Sequence, residues 1–196
     1  MDAEEIRKVS RAYLEDASDL LSATRDACMD DIGRAADRLT GCFRSGGRLL
    51  ICGNGGSAAD AQHLATEFVS TLTIDHLRPS IAAIALTTDT SLLTAIANDF
   101  GVERMFARQV EALGRSGDVL MAISTSGRSA NIIAAATAAH EHDLAVIALT
   151  GESGGELAAL ADVAIRVPST TTAHIQECHL AIEQLLALLV ERALYP

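Results

Sequence analysis

The sequence predicts an α/β fold built on a parallel sheet with helices over both faces. Three observations predict it. Five short runs, at residues 48–52, 81–86, 118–123, 145–150 and 163–167, are apolar almost throughout. A strand apolar along its whole length has both faces buried, as a parallel strand between two helical layers does. Between these runs the apolar residues recur at helical spacing. Finally, 196 residues, 49% hydrophobic and 21% charged, suffice for one domain with a substantial core. Aromatics make up only 3% and tryptophan is absent, so Ala, Leu, Ile and Val must fill that core.

In chain order, residues 2–22 and 26–45 read as two amphipathic helices, with Ile6, Val9, Tyr13, Leu14, Leu20 and Leu21 at helical spacing. Ser45-Gly46-Gly47 ends the second. This pair stands outside the βα alternation and is the expected oligomer-forming element. Strand 48–52 leads into a helix over 57–72, and strand 81–86 into short helices near 90–97 and 103–113. Strand 118–123 precedes a helix over 128–141. Strand 145–150, a short helix near 155–161, strand 163–167 and a long helix over 173–194 complete the chain. Gly151-Glu152-Ser153-Gly154-Gly155-Glu156 reads as loop punctuation before the short helix. No linker or repeat interrupts residues 1–196, so a single domain is expected, with residues 1–45 as oligomer helices and 46–196 as the α/β core. Right-handed crossovers place the loops that follow the strands along one sheet edge, where open α/β sheets bind ligands.

A net charge of −11 argues against nucleic acid or anionic membranes as partners. It leaves a small anionic ligand open, because backbone dipoles dominate the field at a small site. No apolar segment approaches the ~18 residues of a membrane span, and the acidic N-terminus lacks the features of a signal peptide. Cys28, Cys42, Cys52 and Cys178 form no CxxC pair and are expected to be buried, reduced thiols of a cytoplasmic protein.

Two loops carry the chemistry. Gly53-Asn54-Gly55-Gly56-Ser57 joins a strand to a helix and fits neither the P-loop nor the dinucleotide fingerprint. Its glycines expose N–H groups at the positive end of a helix, which suits a phosphate; a tight turn with Ser57 as N-cap is the plainer alternative. Ser124-Thr125-Ser126-Gly127-Arg128-Ser129 makes a second, hydroxyl-rich strand-to-helix turn of the same kind. On the helix leaving the first loop, His63 and Glu67 lie at i and i+4 and can act on one ligand. A carboxylate there suits a general base, and the pair suits a metal. Asn98-Asp99 is a polar pair in an apolar stretch, or else a helix-terminating turn. Gln176, His179, Glu183 and Gln184 interrupt the apolar pattern of the last helix, as either a site or a solvated face. His76, His140 and His142 are expected to be solvated.

Taken in order, the motifs GNGGSAADAQH, AIANDFG, AISTSG and IQE resemble those of the sugar isomerase (SIS) family, and within it the phosphoheptose isomerases, over nearly the whole chain. The resemblance implies a three-layer α/β/α, flavodoxin-like sandwich with a five-stranded parallel sheet and an N-terminal helix pair. It also implies a homotetramer with sites between subunits. The implied activity converts D-sedoheptulose 7-phosphate to D-glycero-D-manno-heptose 7-phosphate by enediol proton transfer, the first step of nucleotide-activated heptose biosynthesis. Substrate contacts carry over onto Gly55, Gly56, Ser57, Glu67, Asn98, Asp99, Ser124, Thr125, Ser126, Ser129 and Gln176. The catalytic pair carries over onto Glu67 and Gln184, and the ligands of one Zn2+ per subunit onto His63, Glu67, Gln176 and Gln184. The family's usual residue at the Gln184 position is histidine, and an amide cannot shuttle protons near neutral pH. Two alternatives remain open: a non-catalytic tetramer of the same fold that binds the replication initiator DnaA, and a sugar-phosphate sensor. Glu67 and Ser124-Thr125-Ser126-Gly127, both intact here, speak against the DnaA-binding relative.

Overall fold

The fold was analysed in a computed structural model that describes residues 1–75 and 77–196, so His76 lies outside the described residues. The expected strands form as β1 (Leu49–Gly53), β2 (Ala83–Ala85), β3 (Val119–Ile123), β4 (Ala145–Thr150) and β5 (Val163–Arg166). They make one all-parallel sheet in the order β2-β1-β3-β4-β5. The helices are α1 (Ala3–Arg44), α2 (Gly56–Val69), α3 (Thr90–Phe100), α4 (Ala107–Leu113), α5 (Ala130–Glu141), α6 (Gly155–Leu160) and α7 (Thr172–Leu194), with a 3-10 turn at Val102–Arg104.

Each strand splits its residues between two cores, as the pleat demands. Leu49, Ile51, Val119, Met121 and Ile123 face a layer made by α1, α2 and α7. Leu50, Cys52, Leu120 and Ala122 face α4 and α5, with Leu157 of α6 beside them. The three-layer sandwich read from the sequence is thus the observed fold. All four cysteines are buried and unpaired. Burial pushes the Cys52 thiol up to about 12 and the Cys42 thiol to about 11, so both stay protonated.

The expected N-terminal helix pair is instead one 42-residue helix. Asp2 caps it by accepting from the N–H groups of Glu4 and Glu5, and nothing at Ala23-Thr24-Arg25 breaks it: there is no Gly, no Pro and no C-cap. What changes there is burial. From Thr24 onward one face packs on the body, through Thr24, Cys28, Ile32, Ala35 and Leu39. Before it, Ile6, Val9, Tyr13, Leu14 and Leu21 are exposed along a stretch about 30 Å long. Thr24 meets Cys178 in the second turn of α7, so the exposed half of α1 projects past the sheet edge at which α7 begins.

Candidate active site

In this strand order, β1 and β3 are neighbours whose chain connections leave in opposite directions, so a crevice opens between their C-terminal ends. The two singled-out loops flank that crevice. Neither helix that they open, α2 or α5, has a side-chain cap on its N-terminus, which leaves those dipole ends for a ligand. Ser57 is not the N-cap; Gly55 is, and Ser57 lies buried in the first turn.

The loops are locked together by a pair of amides that the sequence reading missed. Asn54 Nδ2 donates to Asn131 Oδ1 and Asn131 Nδ2 donates back to Asn54 Oδ1, both at 2.8 Å. Within the second loop the Ser124 and Ser129 hydroxyls lie 3.2 Å apart, and Ser126 Oγ accepts from the Arg128 N–H. The turn after β4 supports this loop from behind. Gly151 N–H donates to Thr125 O, and Leu157 N–H donates to Gly127 O. Gly127 has a φ of +63°, and a Cβ there would stand 2.0 Å from Gly154 O, so only glycine fits.

Helices α2 and α7 run side by side in the same direction, and their facing residues build the rest of the site. At the loop end, Gln176 lies over Gly56; a Cβ on Gly56 would come within 2.4 Å of its amide nitrogen. Two turns further along, about 10 Å, His63 Nε2 lies 3.2 Å from Glu67 Oε1 and 3.3 Å from the Gln184 amide nitrogen. Glu67 is largely buried and His63 half-exposed. The structure therefore brings His63, Glu67 and Gln184 together and leaves Gln176 at the glycine loop. Asn98 and Asp99 lie in the last turn of α3, exposed and hydrogen-bonded to each other at 2.7 Å, and among the described residues no hydrogen bond joins them to the two loops.

Among the described residues, no group of three or more His, Cys, Asp and Glu side chains is arranged to hold a metal. The His63 cluster nevertheless fits one. One imidazole nitrogen faces a carboxylate oxygen and an amide at once, and a half-turn of that amide exchanges its N and O ends. With the amide oxygen turned inward, an imidazole nitrogen, a carboxylate oxygen and an amide oxygen are side by side, a mixed N/O donor set of the kind zinc takes.

His179 and Glu183 correct the solvated-face alternative for the last helix, since both are fully buried. His179 Nε2 lies 3.1 Å from Thr150 O, and burial holds the imidazole down to about 4, a shift the carbonyl partly opposes. Burial pushes the Glu183 carboxyl up to about 9, with the charge of Asp60 on α2 adding to the effect. Both Glu183 oxygens, His179 Nδ1 and Asp60 Oδ2 are buried without a hydrogen-bond partner among the described residues. Of the histidines expected to be solvated, His140 is exposed but has Nε2 2.6 Å from Leu160 O, and His142 is partly buried. A groove of about 700 Å³ lies at the opposite sheet edge beside Arg34, Arg38, Asp118 and Asp162, and no site residue lines it.

The SIS domain family model matches residues 12–151. A phosphoheptose isomerase of Roseiflexus sp. is 56% identical over 160 residues, 82% of this chain and 80% of the relative. One of Rhodospirillum rubrum is 50% identical over 184 residues, 94% of this chain and 96% of the relative. Among solved structures, the phosphoheptose isomerase of Neisseria gonorrhoeae superimposes with a TM-score of 0.90 at 43% identity, covering 95% of this chain and 99% of that one.

Proposed function

We infer that this chain, which belongs to the SIS domain family, is a phosphoheptose isomerase that interconverts D-sedoheptulose 7-phosphate and D-glycero-D-manno-heptose 7-phosphate. The observation that carries this reading is the convergence of His63, Glu67 and Gln184 on helices that also frame the glycine loop. The phosphate sits at C7 and the reacting carbons are C1 and C2. An anion cradle about 10 Å from the acid/base cluster matches an extended seven-carbon chain with its phosphate at the far end.

The phosphate is bound by the loop N–H groups of Gly55, Gly56 and Ser57 and by the hydroxyls of Ser124, Thr125, Ser126 and Ser129, with Gln176 over the first loop orienting the sugar. Glu67 takes the C1 proton of the open-chain ketose and returns it at C2, while the O1 hydroxyl proton passes to O2, so that C1 becomes the aldehyde and C2 the carbinol; the partial burial of Glu67 keeps water from competing for the carbon-bound proton. Gln184 does not titrate. Its amide instead holds the His63 ring beside Glu67. A zinc ion would be held by His63, Glu67 and Gln184, with Gln176 able to join only by leaving Gly56; when bound it supplies Lewis-acid stabilisation of the developing oxyanion.

The exposed apolar half of α1 supports assembly as a homotetramer. Asn98 and Asp99, exposed and next to exposed Phe100 and Val102, then serve a neighbouring subunit's site. Among the described residues no helix is long and apolar enough to cross a membrane, which accords with a cytoplasmic enzyme. The test is to incubate purified protein with sedoheptulose 7-phosphate, with and without chelator and added zinc. Aldoheptose phosphate should form, and should fall away when the metal is removed. Binding without turnover would favour a sugar-phosphate sensor instead.

A further inference from the structure

The Arg78 guanidinium makes four hydrogen bonds, and it stands at the end of the helix that bears Glu67. Its side chain is 1% exposed, and Nε lies 2.7 Å from Glu191 Oε2 on α7, itself 4% exposed. Its NH1 donates to Phe68 O at 2.9 Å and to Pro79 O at 3.0 Å, and its NH2 donates to Glu67 O at 2.7 Å. The carbonyls of Glu67 and Phe68 belong to the last turn of α2, where a helix has no partners of its own for them. A lysine could not replace this fork, because one ammonium cannot reach acceptors on three sides in a fixed plane.

We propose that Arg78 and Glu191 are a positioning pair for the isomerisation: they clamp the C-terminal end of α2 to α7 and so fix where the Glu67 carboxylate stands. The inference rests on Glu67 being the base. The two helices are in register at Gly56 with Gln176 and at His63 with Gln184. The Arg78–Glu191 pair is the third fixed point and holds the backbone of Glu67 itself. Without it, the Glu67 carbonyl loses the guanidinium that holds it, the Phe68 carbonyl keeps only the Ile81 N–H, and the ion pair that ties this end of α2 to α7 is gone; a base displaced by about 1 Å transfers protons up to about 100-fold more slowly. Arg78 touches no reacting atom; its action is entirely through the helix end.

The test compares wild type with Arg78→Lys, Glu191→Gln and, as control, Glu67→Gln. Turnover is measured on ordinary substrate and on sedoheptulose 7-phosphate deuterated at C1. The isotope effect is a ratio of rates, so loss of folded protein does not change it. The positioning pair is supported if both clamp variants lose about 10- to 100-fold in kcat with KM within about threefold, and if their isotope effect rises above wild type as proton transfer becomes limiting. It is overturned if Glu191→Gln, which keeps a hydrogen-bond acceptor and the fold, shows the wild-type kcat and isotope effect, whatever happens to thermal stability. Should Arg78→Lys fail to fold by circular dichroism, Glu191→Gln alone decides the matter. An active Glu67→Gln would instead remove the premise that Glu67 is the base, a distinct outcome.

Discussion

Replacing Glu183 by Gln should stabilise the protein by an amount that grows with pH. The carboxyl is fully buried, neither oxygen has a hydrogen-bond partner among the described residues, and Asp60 sets a second acid beside it. The unfolded chain gives up this proton near 4.5, whereas the folded protein keeps it to about 9. Between those values the unfolded state binds fewer protons, so stability falls as pH rises, by about 1.4 kcal/mol per pH unit. By pH 7 the loss attributable to Glu183 is about 3 kcal/mol. Gln has nearly the shape of the neutral acid and no proton to lose. His179 works in the opposite sense. Its folded value of about 4 lies below the ordinary 6.5, so it favours folding increasingly as pH rises between those limits. The two slopes cancel from about 4.5 to 6.5, and the wild-type decline should run from 6.5 to about 9. In Glu183→Gln the stability should rise to pH 6.5 and then stay level. Urea unfolding at fixed protein concentration across this window measures both curves. Curves that stay parallel from pH 6.5 to 9 would refute the reasoning, because Glu183 would then be ionised and paired in the native protein.

Three further outcomes are expected. Glu67→Gln should lower kcat by about 10²- to 10⁴-fold while phosphate binding, followed calorimetrically, persists; a smaller loss would mean that another group takes the C1 proton. Gln184→His should raise kcat by about tenfold or more and add an acidic limb near pH 6 to 7 to its pH profile, since it installs a titrating group beside His63. An unchanged rate and profile would place position 184 outside the proton path. Gly127→Ala combines an unfavourable backbone conformation, worth about 1–2 kcal/mol, with a clash against the Gly154 carbonyl. It should therefore lower Tm by several degrees and weaken phosphate binding, and a variant with normal affinity would show that the second loop adapts.

The strands and both loops were legible because a fully apolar run and a glycine or hydroxyl turn are local signals. The convergence of His63 with Glu67 was legible for the same reason, being fixed by helical spacing. What joins distant parts of the chain was not. Asn54 meets Asn131 across 77 residues and Arg78 meets Glu191 across 113, and neither partner advertises the other. Polar residues in an amphipathic helix ordinarily face water, so His179 and Glu183 gave no sign that their face of α7 turns inward. The two-helix reading of residues 2–45 failed because the apolar stripe changes character near Thr24. That change marks where full burial on the body begins; Tyr13 already touches His174 and Glu177 of α7, and the helix itself runs through it.

The amide pair that ties the two loops has a consequence for how the protein ages. Asn54 precedes Gly55, the dipeptide in which an asparagine most readily cyclises onto the following backbone nitrogen and loses ammonia. In the folded protein both ends of its carboxamide are engaged by Asn131 at 2.8 Å, which holds the side chain away from that attack. The same contact that spaces the loops therefore also sets their chemical shelf life. A stored sample should gain about one mass unit at this position chiefly where that pairing has first been broken.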